Sequence, residues 1–181
     1  MVLLNQLVIS VVLTVLVFGT KIQAKSEVQE ILNKSGFLNW EGSESLKNKF
    51  IYYLSGYDYD NLPVVVVEMG KWDFQGVAEK GGKDLEDANF FIDQLNTRLQ
   101  AGFFRKNFNA SNFDSFNNEA IVIVDFEGLR ISQLSSPPTV KMILDRLAKM
   151  GKIYNSIASG FIINANPVAH QVQSGLHSIS N

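Results

Sequence analysis

The chain has 181 residues and not one cysteine, so it can build no disulfide framework, no thiolate metal site and no cysteine nucleophile. Only two histidines are present, His170 and His177, seven residues apart with no third ligand at metal spacing, and no metal site is expected. No G-x-S-x-G elbow surrounds a serine, so Ser/His hydrolysis lacks its nucleophile turn. Excess charge of either sign is missing too. With 16 Lys and Arg against 18 Asp and Glu, the net charge of −2 excludes the clustered basic surface of a nucleic-acid groove. Gly76 and Gly81-Gly82-Lys83 resemble a phosphate loop, but Asp84 stands where a hydroxyl is required and would repel phosphate. Neither a cofactor nor a catalytic residue is expected, and the length suits one domain.

What is present begins with a charge-free N-terminus. From Leu7 to Phe18 only Ser10 and Thr14 interrupt an apolar run. It is short of the ~20 apolar residues that span a bilayer, and fits the h-region of a secretory signal peptide over residues 1–24, with cleavage after Gly19 or Ala24. An uncleaved anchor and a misassigned gene start are the alternatives. Export places the chain in the secretory lumen or outside the cell, where the Asn33 and Asn109 sequons would accept glycans; a misassigned start leaves it cytoplasmic.

Beyond residue 24, Ser26-Glu27-Val28-Gln29 has the form of a capping box opening a short helix that Gly36 ends. Leu46, Phe50, Tyr53 and Leu54 recur at helical spacing after Ser43 and predict a second short helix. Turn formers fill 56–63, and Val64 to Val67 then predict a strand buried on both faces, as in a parallel sheet covered by helices on each side. A loop is expected over Gly76 to Gly82. A helix follows from about Asp84 to Leu99, with Leu85, Ala88, Phe91, Ile92, Leu95 and Leu99 on one face. Residues 103–118 alternate Asn, Ser and Phe without a period and read as a loop or distorted helix extension. A second strand spans Ala120 to Val124. Pro137-Pro138 opens a helix with a stripe of Val140, Ile143, Leu144, Leu147 and Met150. A third strand, Phe161 to Ile163, and a final helix marked by Val168 and Val172 complete an α/β order with right-handed crossovers.

Asp125 and Glu127 end the second strand and are the best-placed pair for acid–base work, but the stronger reading of Asp125 is a turn or cap residue bonding the following backbone. What remains is apolar surplus in the strands and at Phe90, Phe91, Phe103 and Phe104. It can fill a core or line a cavity for a hydrophobic ligand.

Three segments share a further likeness. SGYDYDNLPVVVVEMGKWDFQG (Ser55–Gly76), AIVIVDFEGL (Ala120–Leu129) and FIINANPV (Phe161–Val168) resemble, in order, the first strand, the central strand with its Asp-x-x-Gly turn, and the Ile-Asn-Ala-Pro strand end of the CRAL-TRIO lipid-binding family, which includes phosphatidylinositol-transfer relatives. The resemblance covers about 50–175. It implies an α/β, CRAL-TRIO-like mixed and largely parallel sheet flanked by helices, non-enzymatic binding and intermembrane transfer of one lipid or other hydrophobic small molecule, and transient membrane contact. Set on that frame, 25–54 is the remnant of an N-terminal helical lobe. Residues 55–181 are the lipid-binding domain, ending before the family's last helix and strand. A degenerate interaction protein that keeps the fold without a closed pocket is the alternative.

Strand parity then proposes the lipid-facing residues. With Glu68 on one face of the first strand, Val65, Val67 and Met69 take the other; Ala120, Val122 and Val124 oppose Asp125; Ile162 and Asn164 continue the surface. Family members that transfer phosphatidylcholine carry hydroxyls where this chain has Ala120 and Val122, and those that bind phosphatidylinositol carry an acid where it has Asn155, so the resemblance implies a more apolar ligand.

Overall fold

The computed structural model describes residues 36–108, 118–134 and 136–165. The export segment, the Ser26 capping box, the sequons at Asn33 and Asn109, both histidines and the helix expected near Val168 lie outside the described residues.

Ser43 opens the first described helix, α1 (Glu44–Lys49), its hydroxyl accepting from the Leu46 amide at 3.2 Å. The helix expected to reach Leu54 stops at Lys49. Phe50 leaves helical geometry and buries its ring between Trp72 and Phe74, at centroid separations of 5.5 and 6.0 Å. The next residues form a strand, β1 (Tyr52–Tyr57), rich in the aromatics that suit a pleated surface. A bulge between Leu54 and Gly56 shifts its register. Asp58 closes the hairpin, its Oδ1 accepting from the amides of Asp60 (2.9 Å) and Leu62 (2.7 Å). Tyr52–Leu54 are therefore sheet residues, and Leu46 and Phe50 belong to the core beneath the sheet.

β2 (Pro63–Val67) follows, then a 3₁₀ turn at Met69–Lys71. The loop expected over 76–82 is instead largely helix, α2 (Phe74–Lys80). Asp73 caps it by accepting from the Gly76 amide at 2.9 Å, and a Cβ on residue 76 would stand 2.5 Å from that carboxylate. The glycine that looked like a breaker makes room for the cap. Gly81, at φ +65°, separates α2 from α3 (Gly82–Gln100), which buries Ala88, Phe91, Ile92, Leu95 and Leu99 as its periodicity predicts. β3 (Ala120–Asp125) and α4 (Pro137–Met150, with proline in its first turn) come next. A 3₁₀ stretch, Gly151–Ser156, leads into β4 (Ile157–Ile163), which begins four residues earlier than the apolar run suggested.

The sheet has the order β1-β2-β3-β4, with β1 antiparallel to β2 and both remaining pairs parallel. The fold is thus a mixed α/β arrangement, a four-stranded mixed sheet flanked by helices. Burial in the strands alternates where burial on both faces was expected. Pro63, Val65, Val67, Ala120 and Val122 are buried, whereas Val64, Val66, Ile121 and Ile123 are half-buried. The buried set packs with Phe50, Val77, Phe91, Leu95 and Met142 from α1–α4 and their flanks in one core cluster.

Candidate functional site

Parallel strands joined by helical crossovers leave a crevice beyond their carboxyl ends, because successive chains depart there in different directions. Here the register pairs Val65 with Val122, Val67 with Val124, and Val124 with Ile162, so these side chains share one face. At the carboxyl ends of β2 and β3 the space over that face is not filled. An apolar cavity of about 80 Å³ lies between Val67, Val122, Val124 and Ile162 on the sheet and Ile92, Leu95 and Leu99 of α3. Ile143, Leu147 and Met150 of α4 form a further wall, and Met69, Trp72, Phe126 and Leu129 close the end where β2 and β3 run into their turns. Ile162 is 44% exposed, so this wall reaches the surface.

Of the eight residues that parity proposed, Val67, Met69, Val122, Val124 and Ile162 line this cavity. Met69 does so from the 3₁₀ turn after the strand. Val65 and Ala120 share the face but stand earlier on their strands, where they are 0% and 2% exposed within the filled core. Asn164 does not continue the surface. Its backbone turns to φ +52° and its Nδ2 donates to Asp125 Oδ1 at 2.9 Å, on the exposed strand ends. The same Asp125 Oδ1 accepts from the Glu127 amide at 2.8 Å, the turn role open to it from sequence. Glu127 lies 3.8 Å from Lys71, itself bonded to Glu68, in an exposed ion-pair group.

Sequence periodicity placed the α4 stripe one step off. Leu144 is 47% exposed, whereas Thr139, Met142 and Arg146 are buried. Ile143, Leu147 and Met150 are only half-buried because their side chains face the cavity. Arg146 is the site residue that sequence reasoning missed, since a cation reads as the solvated side of a helix. Three polar side chains touch the cavity: Asn96, Gln133 and Arg146. Gln133 is satisfied, donating to the Trp72 carbonyl at 3.3 Å and accepting from the Arg130 amide at 2.7 Å. Arg146 Nη1 donates to Asp93 Oδ1 (2.8 Å) and to the Asn89 carbonyl (3.4 Å), while its Nε is buried without an acceptor among the described residues. A buried donor in that state costs about 1–3 kcal/mol.

A second hollow, about 210 Å³, lies among Trp40, Glu41, Lys47, Tyr52, Phe91 and Arg98. It is larger, yet its charges already serve the protein. Glu41 pairs with Lys47 at 2.6 Å, and Arg98 holds the Leu38 carbonyl (2.9 and 2.6 Å) and the Tyr52 hydroxyl (2.6 Å). Burial pushes the Tyr52 phenol above its ordinary pKa, and the Arg98 guanidinium opposes that rise. The smaller cavity is the better candidate, because almost nothing in its wall competes for an apolar guest.

No protein-family model matches the chain, and no curated protein sequence matches it.

Proposed function

We propose that the chain binds a lipophilic molecule non-covalently, seating an apolar chain in the cavity between the carboxyl ends of β2 and β3 and the helices α3 and α4. The observation that carries this reading is an unfilled apolar space with a partly exposed wall, in a core otherwise packed tightly enough to hold Phe50 and Val65 at 0% exposure. All three CRAL-TRIO-like segments contribute to it: Val67, Met69 and Trp72 from the first, Val122, Val124, Phe126 and Leu129 from the second, Ile162 from the third. A CRAL-TRIO-like lipid carrier is the finer form of the same proposal.

Size limits the guest. Ordinary ligand pockets occupy roughly 300–1,000 Å³. A cavity of about 80 Å³ takes roughly five to eight water-sized groups at ~10–15 Å³ each. Burying five methylenes at ~0.8 kcal/mol apiece contributes about 4 kcal/mol, a Kd near 1 mM. Tighter binding requires the guest to continue over the exposed side of Ile162 or the helices to part.

A series of primary alcohols from butanol to decanol, titrated by calorimetry, tests the reading. Affinity rising with each methylene up to about hexanol, and lost in Leu147→Trp, is the expected result. Chain-length-independent affinity, or a Leu147→Trp protein that binds as the parent does, contradicts it.

A further inference from the structure

A sheet has two edges, and an unpaired edge is a template for another strand unless it is bent, charged or covered. The β1 edge is managed in this way. A bulge between Leu54 and Gly56 breaks its register. The Tyr57 hydroxyl donates to the Phe104 carbonyl at 3.0 Å and the Tyr52 hydroxyl accepts from Arg98 at 2.6 Å, which ties the strand's side chains to α3 and the residues after it. β4 stands at the other edge without such protection. Among the described residues no strand lies beyond it, and Ser159–Ile163 pair in unbroken register with Ile121–Asp125 of β3. No charged residue and no proline occurs from Ile153 to Asn166. Phe161, Ile162 and Ile163 are exposed all the same, Phe161 by 53%.

One bond fixes the direction of the backbone at this edge. The Phe126 amide donates to the Ile163 carbonyl at 3.1 Å, so Ile163 turns its hydrogen-bonding groups towards β3. Those groups alternate along an extended strand, so Ser159 and Phe161 also face β3, while Gly160 and Ile162 present theirs outward. A lipid tail or a helix cannot meet them; an extended strand can. That strand must itself be uncharged, because a charge laid against Phe161 or Ile163 would lose water without gaining a counter-ion. β4 satisfies both conditions. Run antiparallel to a second copy about Phe161, it sets Gly160 opposite Ile162 of the other copy, where each pair exchanges both backbone bonds. Phe161 then meets its own counterpart in the close, non-hydrogen-bonded position, where aromatic pairs are favourable. No like charges are opposed, and the small Gly160 leaves room for Ile162.

We propose that the chain forms a two-fold symmetric dimer through β4, with Ser159–Ile163 of two copies paired antiparallel about Phe161 so that both sheets become one. The dimer needs no ligand in the cavity.

Sedimentation equilibrium of the full chain from roughly 1 to 500 μM tests it. A short ladder makes a small, weak interface, so a dimer half-formed at roughly 10–100 μM is expected. A Cβ at residue 160 meets only Ile157 Cγ2, at 3.9 Å, and a proline ring there closes on an N–H that β3 does not use, so neither Gly160→Ala nor Gly160→Pro crowds the monomer. Alanine should leave the dissociation constant within about threefold, and proline should weaken it at least about tenfold; urea denaturation of the dilute variants checks that each monomer is folded. Because the chain has no cysteine, Phe161→Cys reports the symmetry axis. Opposed Cα atoms roughly 4.5 Å apart suit a disulfide, and oxidised glutathione should link this variant at least about tenfold faster than Leu144→Cys, whose parent residue on α4 is 47% exposed. A full chain that stays monomeric overturns the proposal, and one that dimerises only after removal of residues 166–181 overturns it by assigning the edge to that segment. A dimer indifferent to Gly160→Pro, or equal crosslinking of the two cysteine variants, overturns pairing through β4. A ladder of larger species overturns the closed two-fold arrangement.

Discussion

Val124→Ile should stabilise the protein, and Val65→Ile should destabilise it, although the two valines belong to paired strands and share one face of the sheet. Val124 borders the cavity of about 80 Å³; Val65 is 0% exposed and is not among the residues that line it. At ~24 cal/mol per Å³ of void, the cavity costs the fold about 2 kcal/mol, which caps what filling can return. One added methylene is worth ~0.8 kcal/mol where space receives it, and roughly 1–3 kcal/mol against stability where it must force neighbours apart. Urea denaturation followed by tryptophan fluorescence measures both. With an m-value of roughly 2 kcal/mol/M, Val124→Ile should raise the midpoint by about 0.3–0.5 M and Val65→Ile lower it by about 0.5–1.5 M, neither changing m. The melting temperature should move by roughly 2–4 °C per kcal/mol. If Val124→Ile destabilises as much as Val65→Ile, the space is filled and the site does not exist.

Three further predictions follow from local structure. Asp73→Ala should cost about 1 kcal/mol through loss of the α2 cap, and Gly76→Ala, whose Cβ would stand 2.5 Å from the Asp73 carboxylate, should be clearly less harmful in the Asp73→Ala background; additive losses in a double-mutant cycle would refute the steric link. Arg98→Met should lower stability by about 2 kcal/mol in chemical denaturation, with Arg98→Lys little better, because only the guanidinium reaches both the Leu38 carbonyl and the Tyr52 hydroxyl while stacking on Phe103; full rescue by lysine would show that charge alone matters. The carboxyls of Asp84, Asp145 and Glu41 are held below their ordinary pKa by hydrogen bonds from Lys80, Lys141 and Lys47. Folded carboxyls therefore ionise at lower pH than unfolded ones, so their contribution is present above about pH 4 and is lost as the pH falls through the folded values. Since all three are exposed, acid unfolding monitored by circular dichroism should begin at higher pH in high salt than in low, and an identical onset would mean that these pairs do not matter.

Much of the fold was legible because its elements follow single, strong periods. The α3 stripe reports its buried face directly, whereas the four valines of 64–67 and the Ala120 strand mark strands without telling which face is covered, and only one is. Misreadings occurred where one residue served two patterns. Phe50 sits at helical spacing from Leu46, but aromatic packing on Trp72 and Phe74 outweighs continuing a six-residue helix, so β1 went unseen. Gly76 reads as a breaker until Asp73 is recognised as the cap it accommodates. At the site, parity grouped Val67, Val122, Val124 and Ile162, since alternation is a property of the strand itself. It could not say where along that face packing stops, and so included Val65 and Ala120. Nor could it foresee that Asn164 turns to Asp125, or that α4 buries a cation: each depends on partners distant in sequence.

The proposed apolar guest lies over Val124, Leu147 and Ile162. Methyl-labelled chain saturated with hexanol tests it most directly, through intermolecular nuclear Overhauser effects from the alkyl protons. Contacts are expected to the methyls of Val67, Val124, Leu147 and Ile162 and none to Val66 or Ile123, which point to the other face of the sheet. Contacts spread over Val66 and Ile123, or no contacts at saturation, would contradict it.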